Sequence, residues 1–406
     1  MIWSIAWRNI WRNKIRSLVV IMAVAIGMFG GTFSVGLMNG LIKDRINEAV
    51  NNESSHIQLH NPHFLENNEL IHIIEEAENI ASEIEKLPAV EAVSIRYKLL
   101  NSAQTEHNST GVVLYSVNPE KEKMVSGISE KIDTGEYFTS LKSPQIVISR
   151  KISEKLRAKV GDEIAINLTK PDTSSIKVNF TIVGIYKTHN GMFDGRTVFT
   201  RTSDLENLIG LNSSNAHEII VRLKNHKTLH ETVETLEETY KNLDVQSWIK
   251  ILPDVGMLVE MGDFMLFVII LIILLALSFG IINTMMMSVM ERRKELGMLL
   301  AVGMSKKRVF TMIMLETIFL SIVGAVIGTL FAAVIVFVTG NSGINFESFS
   351  EGFEQVGYAS VMYPELAWYE YVEIIGLVIF VAVAACIYPA RKALKLRPVE
   401  AIKDYN

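Results

Sequence analysis

Four long apolar segments divide the chain, and the stretches between them are polar. The apolar segments lie at residues 17–38, 264–290, 309–339 and 374–390. About 20 mostly apolar residues are enough to cross a bilayer as a helix. The first three segments meet this length. The last is shorter, but it follows Trp368, Tyr369 and Tyr371, aromatic residues of the kind found at membrane interfaces. The pattern predicts an α-helical membrane protein with four transmembrane helices.

The polar segment at residues 39–263 predicts a large α+β external (periplasmic) domain inserted between the first and second spans. Its apolar residues follow strand or helix periods in two β-α-β units. These units are a strand, helix and strand at 56–60, 69–87 and 89–99, and again at 218–223, 228–243 and 245–249. Between the units, residues from about 130 to 215 are predicted to form a strand-rich lobe.

Basic residues orient the predicted spans. Residues 1–16 carry four basic residues and no acidic ones, residues 291–308 carry six basic residues, and residues 391–406 carry five. The loop at 340–373 has six Glu and no Lys or Arg. Because Lys and Arg are enriched in cytosolic loops, both termini and residues 291–308 are predicted to be cytosolic. Residues 39–263 and the acidic loop are then external, in a multi-pass membrane protein.

Charge and cysteine content limit the partners of the external domain. Residues 39–263 contain 24 Lys and Arg against 33 Asp and Glu, a net charge of −9. This surface is unsuited to nucleic acid. The single cysteine, Cys386, lies in the last span, so the external domain is expected to fold without disulfides.

Two short amphipathic segments are predicted at the cytosolic side. In residues 1–16, Trp3, Trp7 and Trp11 recur every four residues and predict a helix lying in the inner interface. In residues 291–308, a second helix is expected to end in a left-handed cap at Gly303, with Ser305 capping the next helix. From physics alone this second helix could also be an interfacial one whose basic ends reach the headgroups.

Three stretches resemble the signature sequences of FtsX-like, MacB-type ABC transporter permeases. They read AWRNIWRNKIRSLVVIMAVAIGMFGG, ERRKELGMLLAVGMSKKRVF and YPARKALKLRPVEAIK. The resemblance implies a permease subunit whose helix between the second and third spans binds a separate cytosolic ATPase. The coupling residues implied are Glu291, Arg292, Lys294, Glu295, Gly297 and Gly303. The sequence contains no GxxxxGKS or GxxxxGKT motif, so ATP is expected to bind the partner ATPase, with no cofactor and no catalytic site in this chain.

The start of the external domain is similar to that of lipoprotein-releasing permeases, at Met38, Asn39, Gly40, His56 and Ile57. The resemblance implies release of lipoproteins from the outer leaflet of the inner membrane. Two alternatives stay open: a MacB-type exporter of drugs or peptides working with a periplasmic adaptor, or a regulatory subunit that switches an external partner such as a cell-wall hydrolase. The chain is expected to pair with a second copy or with a related permease.

Small and charged residues within the spans predict packing and pairing. Close helix approach in a tightly packed dimer is predicted from three GxxxG pairs, Gly27 with Gly31, Gly36 with Gly40, and Gly324 with Gly328. An ionisable residue inside a membrane is a functional candidate by default. For Glu316 we expect a structural ion pair with Lys307, Arg308 or the basic flanks of the first or last span, rather than a proton relay.

Three histidines, His56, His60 and His63, are candidate ligands of a metal site. Zinc sites need three or four convergent ligands, and Pro62 interrupts the strand before His63. The sequence therefore favours no metal.

Overall fold

The structure, a computed structural model, describes residues 2–12, 14–106, 108–140, 143–170, 174–355 and 357–394. Most of the predicted cytosolic tail, at residues 395–406, lies outside this described part. The chain forms two compact units. The helical unit comprises Met1–Ile42, Met261–Asn345 and Val361–Asn406, and the sheet unit comprises Lys43–Glu260 and Phe346–Ser360.

The helices follow the chain in this order: α1 Ile2–Arg12, α2 Lys14–Glu48, α3 Phe64–Asn67, α4 Ala77–Ile84, α5 Pro119–Val125, α6 Arg150–Leu156, α7 Gly191–Asp194, α8 Thr202–Ile209, α9 Leu229–Thr239, α10 Trp248–Ile251, α11 Pro253–Glu291, α12 Arg293–Ala301, α13 Lys306–Ser342, α14 Ser350–Gln355 and α15 Trp368–Ala393. A π-helical turn, Ala49–Ser54, continues α2.

The strands are β1 Ile57–His60, β2 Val90–Gln104, β3 Ser109–Val117, β4 Ile132–Gly135, β5 Gln145–Ser149, β6 Glu163–Thr169, β7 Ser175–Tyr186, β8 Thr197–Arg201, β9 Glu218–Leu223, β10 Asp244–Ser247, β11 Ile344–Asn345 and β12 Val361–Met362. β11 and β12 form a separate two-stranded sheet.

Four helices of the described chain are long and apolar enough to cross a membrane, at Ser17–Ser54, Pro253–Glu291, Lys306–Ser342 and Trp368–Ala393. They contain the four predicted spans. The first continues as helix well past residue 38, and the second begins at Pro253, ahead of residue 264. The difference has a simple cause: hydropathy marks the part of a helix suited to lipid, whereas a helix ends only where its backbone bonding ends.

The helical unit is held together by a continuous apolar core. Buried side chains from α1, α2, α11, α12, α13 and α15 form one cluster, which includes Val24, Met28, Ile281, Met312 and Cys386. Helix α13 packs against both α15 and α1.

The sheet unit is built on one sheet whose strands follow the order β10-β1-β9-β2-β3-β8-β5-β7-β4. The first four strands are antiparallel neighbours in the order of a ferredoxin-like βαββαβ fold. The two predicted β-α-β units, which flank the lobe in the chain, therefore interleave in space. β6 pairs with both β2 and β7, so that β2, β3, β8, β5, β7 and β6 close into a six-stranded ring.

Two of the buried cores along this shared sheet are the most extensive. One lies under α4 and α9 and includes Ile57, Ala81, Val221 and Leu236. The other fills the six-stranded ring and is completed by α6 and α8. The ring begins with β2, ahead of the lobe boundary at about residue 130, because β2 has 15 residues and serves both cores.

The helix predicted at residues 69–87 is shorter in the structure, where α4 covers Ala77–Ile84. Residues before it are turns, and Ile74 pairs instead with Ala216 as an isolated bridge. The prediction rests on the helical spacing of the segment and its high Glu content. Tertiary pairing overrides such propensity.

Candidate functional site

Helix α12 lies between two spanning helices and exposes one stripe of side chains. Lys294, Met298 and Val302 are exposed and follow one another at intervals of four residues, which aligns them on one helical face. Met298 is 57% exposed and Val302 is 84% exposed. Glu291, the last residue of α11, is also exposed. The stripe combines charge with apolar side chains that the protein itself leaves uncovered.

The inner side of α12 fixes its position. Leu296 and Gly297 are buried, and Leu296 belongs to the core of the helical unit. Gly303 has a φ of +97°, the left-handed conformation that the cap prediction required. Ser305 stands at the start of α13, but its side chain makes no capping hydrogen bond, contrary to the prediction. Its backbone carbonyl accepts instead from the amide of Arg308 at 2.9 Å.

Arg292, in the break between α11 and α12, turns inward to Glu316 of α13. Its Nη1 lies 3.0 Å from Oε1 and 2.8 Å from Oε2 of Glu316. The exposed fractions of the two side chains are 13% and 8%. Glu316 is thus paired with Arg292, a residue that the prediction did not name. Arg308 is two turns away along α13, a rise of about 12 Å.

The same arginine also binds Glu295, which extends the pair into a network. Arg292 Nε donates to Glu295 at 3.2 Å, and Arg12 of α1 forms an ion pair with the other oxygen of Glu295. Burial alone would lower the pKa of Arg292, but the Glu316 carboxylate outweighs it and raises that pKa. Partial burial opposes ionisation of Glu295, yet Arg292 and Arg12 hold its pKa below the usual value. Arg292 and Glu295 are therefore both charged near neutral pH.

The network shows what two of the implied coupling residues bind within the chain. The resemblance implies that Arg292 and Glu295 contact the ATPase or shape the contact with it. The structure uses Arg292 to fasten α12 to α13, and it uses Glu295 to join α12 to α1. Sequence reasoning missed Arg12 as a member of this site. The available signal was its place among the basic residues of the N-terminal helix.

The N-terminal helix α1 packs along α13 through its tryptophans. The rings of Trp3 and Trp7 lie edge-on to Phe319, with centroids 5.8 and 5.6 Å apart. Trp11 contacts Trp7 at 6.1 Å. All three tryptophans keep a large exposed fraction, so the stripe predicted from their spacing also serves as a packing surface.

The glycine pairs pack within the chain in this structure, and the dimer predicted from them stays a prediction. A Cβ on Gly324 would lie 2.8 Å from the Ile21 carbonyl oxygen, and one on Gly328 would lie 2.6 Å from that of Ala25. The backbones of α13 and α2 therefore touch. At Gly27 the nearest neighbour is Leu277 of α11.

Two further glycines of α2 also face this chain. At Gly31 the nearest atoms are those of Ile273 and Ile374. At Gly36 the nearest atom belongs to Val336. The closest approach between two helix backbones among these glycines is at Gly324 and Gly328, and the helices it brings together belong to one subunit.

The Met-Asn-Gly sequence at the end of the first apolar segment has a structural role. Asn39 donates from Nδ2 to Glu370 at 2.8 Å, at the start of α15. A Cβ on Gly40 would lie only 2.2 Å from the Tyr363 carbonyl oxygen. Only glycine allows this approach.

The three histidines lie in different surroundings. His56 accepts a hydrogen bond from the Leu223 amide at 3.3 Å. His60 is fully buried, 3.8 Å from Glu218. His63 is exposed beside Glu66.

Comparison with known proteins decides the family. The MacB-like periplasmic core domain matches residues 17–239, and the FtsX-like permease C-terminal domain matches residues 267–398. The chain belongs to the FtsX-like, MacB-type family of ABC transporter permeases. The predicted family is confirmed, as is the fold class of four apolar spans with a large α/β periplasmic domain.

Relatives of this permease span archaea and bacteria. It is 29% identical over 263 residues to an uncharacterized ABC transporter permease of Methanocaldococcus jannaschii, covering 60% of this chain and 58% of that relative. It is 22% identical over 328 residues to the lipoprotein-releasing system transmembrane protein LolC of Neisseria meningitidis serogroup B, covering 78% of each. The periplasmic region of MacB from Actinobacillus actinomycetemcomitans is similar at 14% identity with a TM-score of 0.36, covering 53% of this chain and 93% of that structure.

Proposed function

We propose that α12 is the coupling helix of this permease and that a cytosolic ATPase binds its exposed stripe. The observation that carries the proposal is the two-sided design of α12. One side is fixed by Arg292 and Leu296, while Met298 and Val302 are exposed, with the exposed Lys294 one turn before them. Exposed apolar side chains within a polar rim are typical of protein interfaces. A load applied to the stripe passes through Arg292 to the third span.

A charge placed in the stripe tests this proposal. Met298→Glu should abolish co-purification of the ATPase without preventing membrane insertion, because Met298 lies outside the spanning helices. Met124→Glu is the matched control, since Met124 is also about half exposed but lies on α5 of the sheet unit. Retention of the ATPase by Met298→Glu would contradict the coupling role.

We further propose that the cargo is a lipoprotein released from the outer leaflet of the inner membrane. The support is the similarity to LolC over 78% of the chain, together with the Met-Asn-Gly sequence. The test is reconstitution with the ATPase in liposomes that contain a triacylated lipoprotein, scored as ATP-dependent release to a soluble carrier. Release by this permease, and none by Met298→Glu, is expected. Release of a small drug in place of the lipoprotein would overturn the assignment.

The proposed mechanism requires both termini and α12 on the cytosolic side. The Lys and Arg asymmetry supports this orientation. Single cysteines placed at Ser129 and at Ser305, in a Cys386→Ala background, should differ in labelling by an impermeant thiol reagent in intact spheroplasts. Labelling at position 129 alone is expected, and labelling at position 305 alone would reverse the topology.

A further inference from the structure

Arg45 is a fully buried arginine in the sheet unit. It has no part in the apolar spans or in the proposed coupling helix α12. It lies on α2 beyond the predicted end of the first span, and it is 2% exposed. Arginine is almost never fully buried unless it is paired, because removing a charge from water is costly. The surroundings of Arg45 must therefore compensate its charge.

Two carboxylates from different chain segments compensate the charge of Arg45. Arg45 Nη1 donates to Glu53 Oε1 at 2.8 Å, and Nη2 donates to Asp254 Oδ2 at 3.3 Å. Glu53 lies in the π-helical turn that continues α2, and Asp254 lies in the first turn of α11. The guanidinium group thus joins the end of one spanning helix to the start of the next.

A third segment lies directly against the guanidinium. Gly357 belongs to the loop between α13 and α15, and a Cβ there would lie 3.0 Å from Arg45 Nε and 3.1 Å from Cζ. The φ of Gly357 is +80°, a conformation that favours glycine, and a Cβ there would also press against the guanidinium group. The loop closes on itself next to this point, where the Phe346 amide donates to the Ser360 carbonyl at 2.7 Å.

A fourth segment is attached through Glu53. The same Oε1 accepts a hydrogen bond from Asn190 Nδ2 at 2.7 Å. Asn190 in turn caps α7 through the amides of Met192 and Phe193. Helix α14, in the loop that contains Gly357, packs against α7. The loop and α7 are therefore connected both directly and through Arg45.

We propose that Arg45 is a positioning residue for transport. Together with Glu53, Asp254, Asn190 and Gly357 it forms the Arg45 cluster, which fastens the α13–α15 loop and the start of α11 to α7. The cluster makes these segments and the periplasmic domain move as one body. This inference rests on the proposed function in one respect, that the motion is driven by an ATPase bound at α12.

A distance measurement tests the cluster independently of any ATPase. Spin labels are placed at Gln355 on α14 and at Met192 on α7, both exposed, in a Cys386→Ala background. Pulsed dipolar spectroscopy of the full chain should give one narrow distance distribution. In Arg45→Gln the distribution should broaden at least twofold, with a longer population. A narrow distribution in Arg45→Gln would overturn the proposal.

A second variant separates positioning from general stability. Arg45→Met combined with Glu53→Gln removes both charges and keeps an oxygen that can accept from Asn190. This pair should recover much of the unfolding temperature lost by Arg45→Gln, while the distance distribution stays broad. Recovery of a narrow distribution with the stability would show that Arg45 only supports the fold.

ATP-driven release is then measured with the same variants. Arg45→Gln should bind the ATPase as the wild type does and hydrolyse ATP, but lose most of the release of the triacylated lipoprotein. Loss of ATPase binding in Met298→Glu, with release intact in Arg45→Gln, would uphold the coupling helix and overturn the Arg45 cluster. Retained ATPase binding in Met298→Glu, with release lost in Arg45→Gln, would overturn the coupling helix and uphold the Arg45 cluster.

Discussion

Arg292 Nη1 lies 2.8 Å from Glu316 Oε2, and this contact joins the short helix α12 to the third span. The two residues are separated by 24 positions in the chain. Because Arg292 and Glu316 are largely shielded from water, their attraction is screened less than that of a surface pair. The pair attaches α12 rigidly to α13. With hydrophobic contacts alone, α12 would be free to slide along its neighbour.

Removing one member of this pair should cost more than removing both. Glu316→Gln leaves the Arg292 charge partly buried without its main partner, a change that costs roughly 3–5 kcal/mol in buried pairs. Arg292→Gln combined with Glu316→Gln restores neutrality and should recover much of the loss. The measurement is the apparent unfolding temperature of the purified permease in detergent. Equal losses in the single and double variants would show that the pair contributes little.

The sequence predicted the spans well and the contacts between them poorly. Hydropathy located each span because lipid demands an apolar surface. The partner of Glu316 was not predictable, since it depends on the turn at Gly303 that folds α12 against α13. Likewise, glycine spacing shows that Gly324 permits close approach, but it does not show which helix approaches. Arg45 looked like an ordinary basic residue of a polar segment, and only the tertiary structure reveals its burial.

Substitutions at the α2–α13 contact should disturb the fold of the subunit rather than its pairing. Gly328→Ala would place a Cβ 2.6 Å from the Ala25 carbonyl oxygen, an overpacking that typically costs about 1–3 kcal/mol. Gly280→Ala and Gly376→Ala are matched controls, because a Cβ at either has no neighbour within 4 Å. The unfolding temperature and the yield of folded protein should fall only for Gly328→Ala. A normal unfolding temperature combined with loss of subunit association would favour the predicted role of these glycines at a dimer interface.

Gly40 offers a sharper test on a single helix. Gly40→Ala would drive a Cβ to 2.2 Å from the backbone oxygen of Tyr363, whereas Gly30→Ala on the same helix meets nothing within 4 Å. The backbones at Gly40 and Tyr363 cannot rotate away from each other as a side chain could. We expect Gly40→Ala to lower the unfolding temperature strongly and Gly30→Ala to leave it unchanged or slightly higher, because alanine favours helix. Similar effects of the two substitutions would show that α2 and the residue 363 segment separate freely.

Asp194 should make the stability of the sheet unit depend on pH. Burial raises the pKa of Asp194 to about 6 from its usual 3.8, although hydrogen bonds from Thr188 oppose the shift and the negative charge of Glu48 adds to it. The folded state therefore takes up a proton between these values that the unfolded state does not. The stabilising contribution of this proton is complete below pH 3.8 and is lost as the pH rises through 6. Relative to Asp194→Asn, the free energy of unfolding of the wild type should increase by up to about 3 kcal/mol between pH 7 and pH 4.

His56 acts in the opposite sense, since burial and the positive charge of Arg222 lower its pKa to about 4. The comparison is therefore best made in a His56→Gln background. Thermal unfolding of both proteins at several pH values gives the difference directly, and a difference that does not change with pH would show that Asp194 ionises normally.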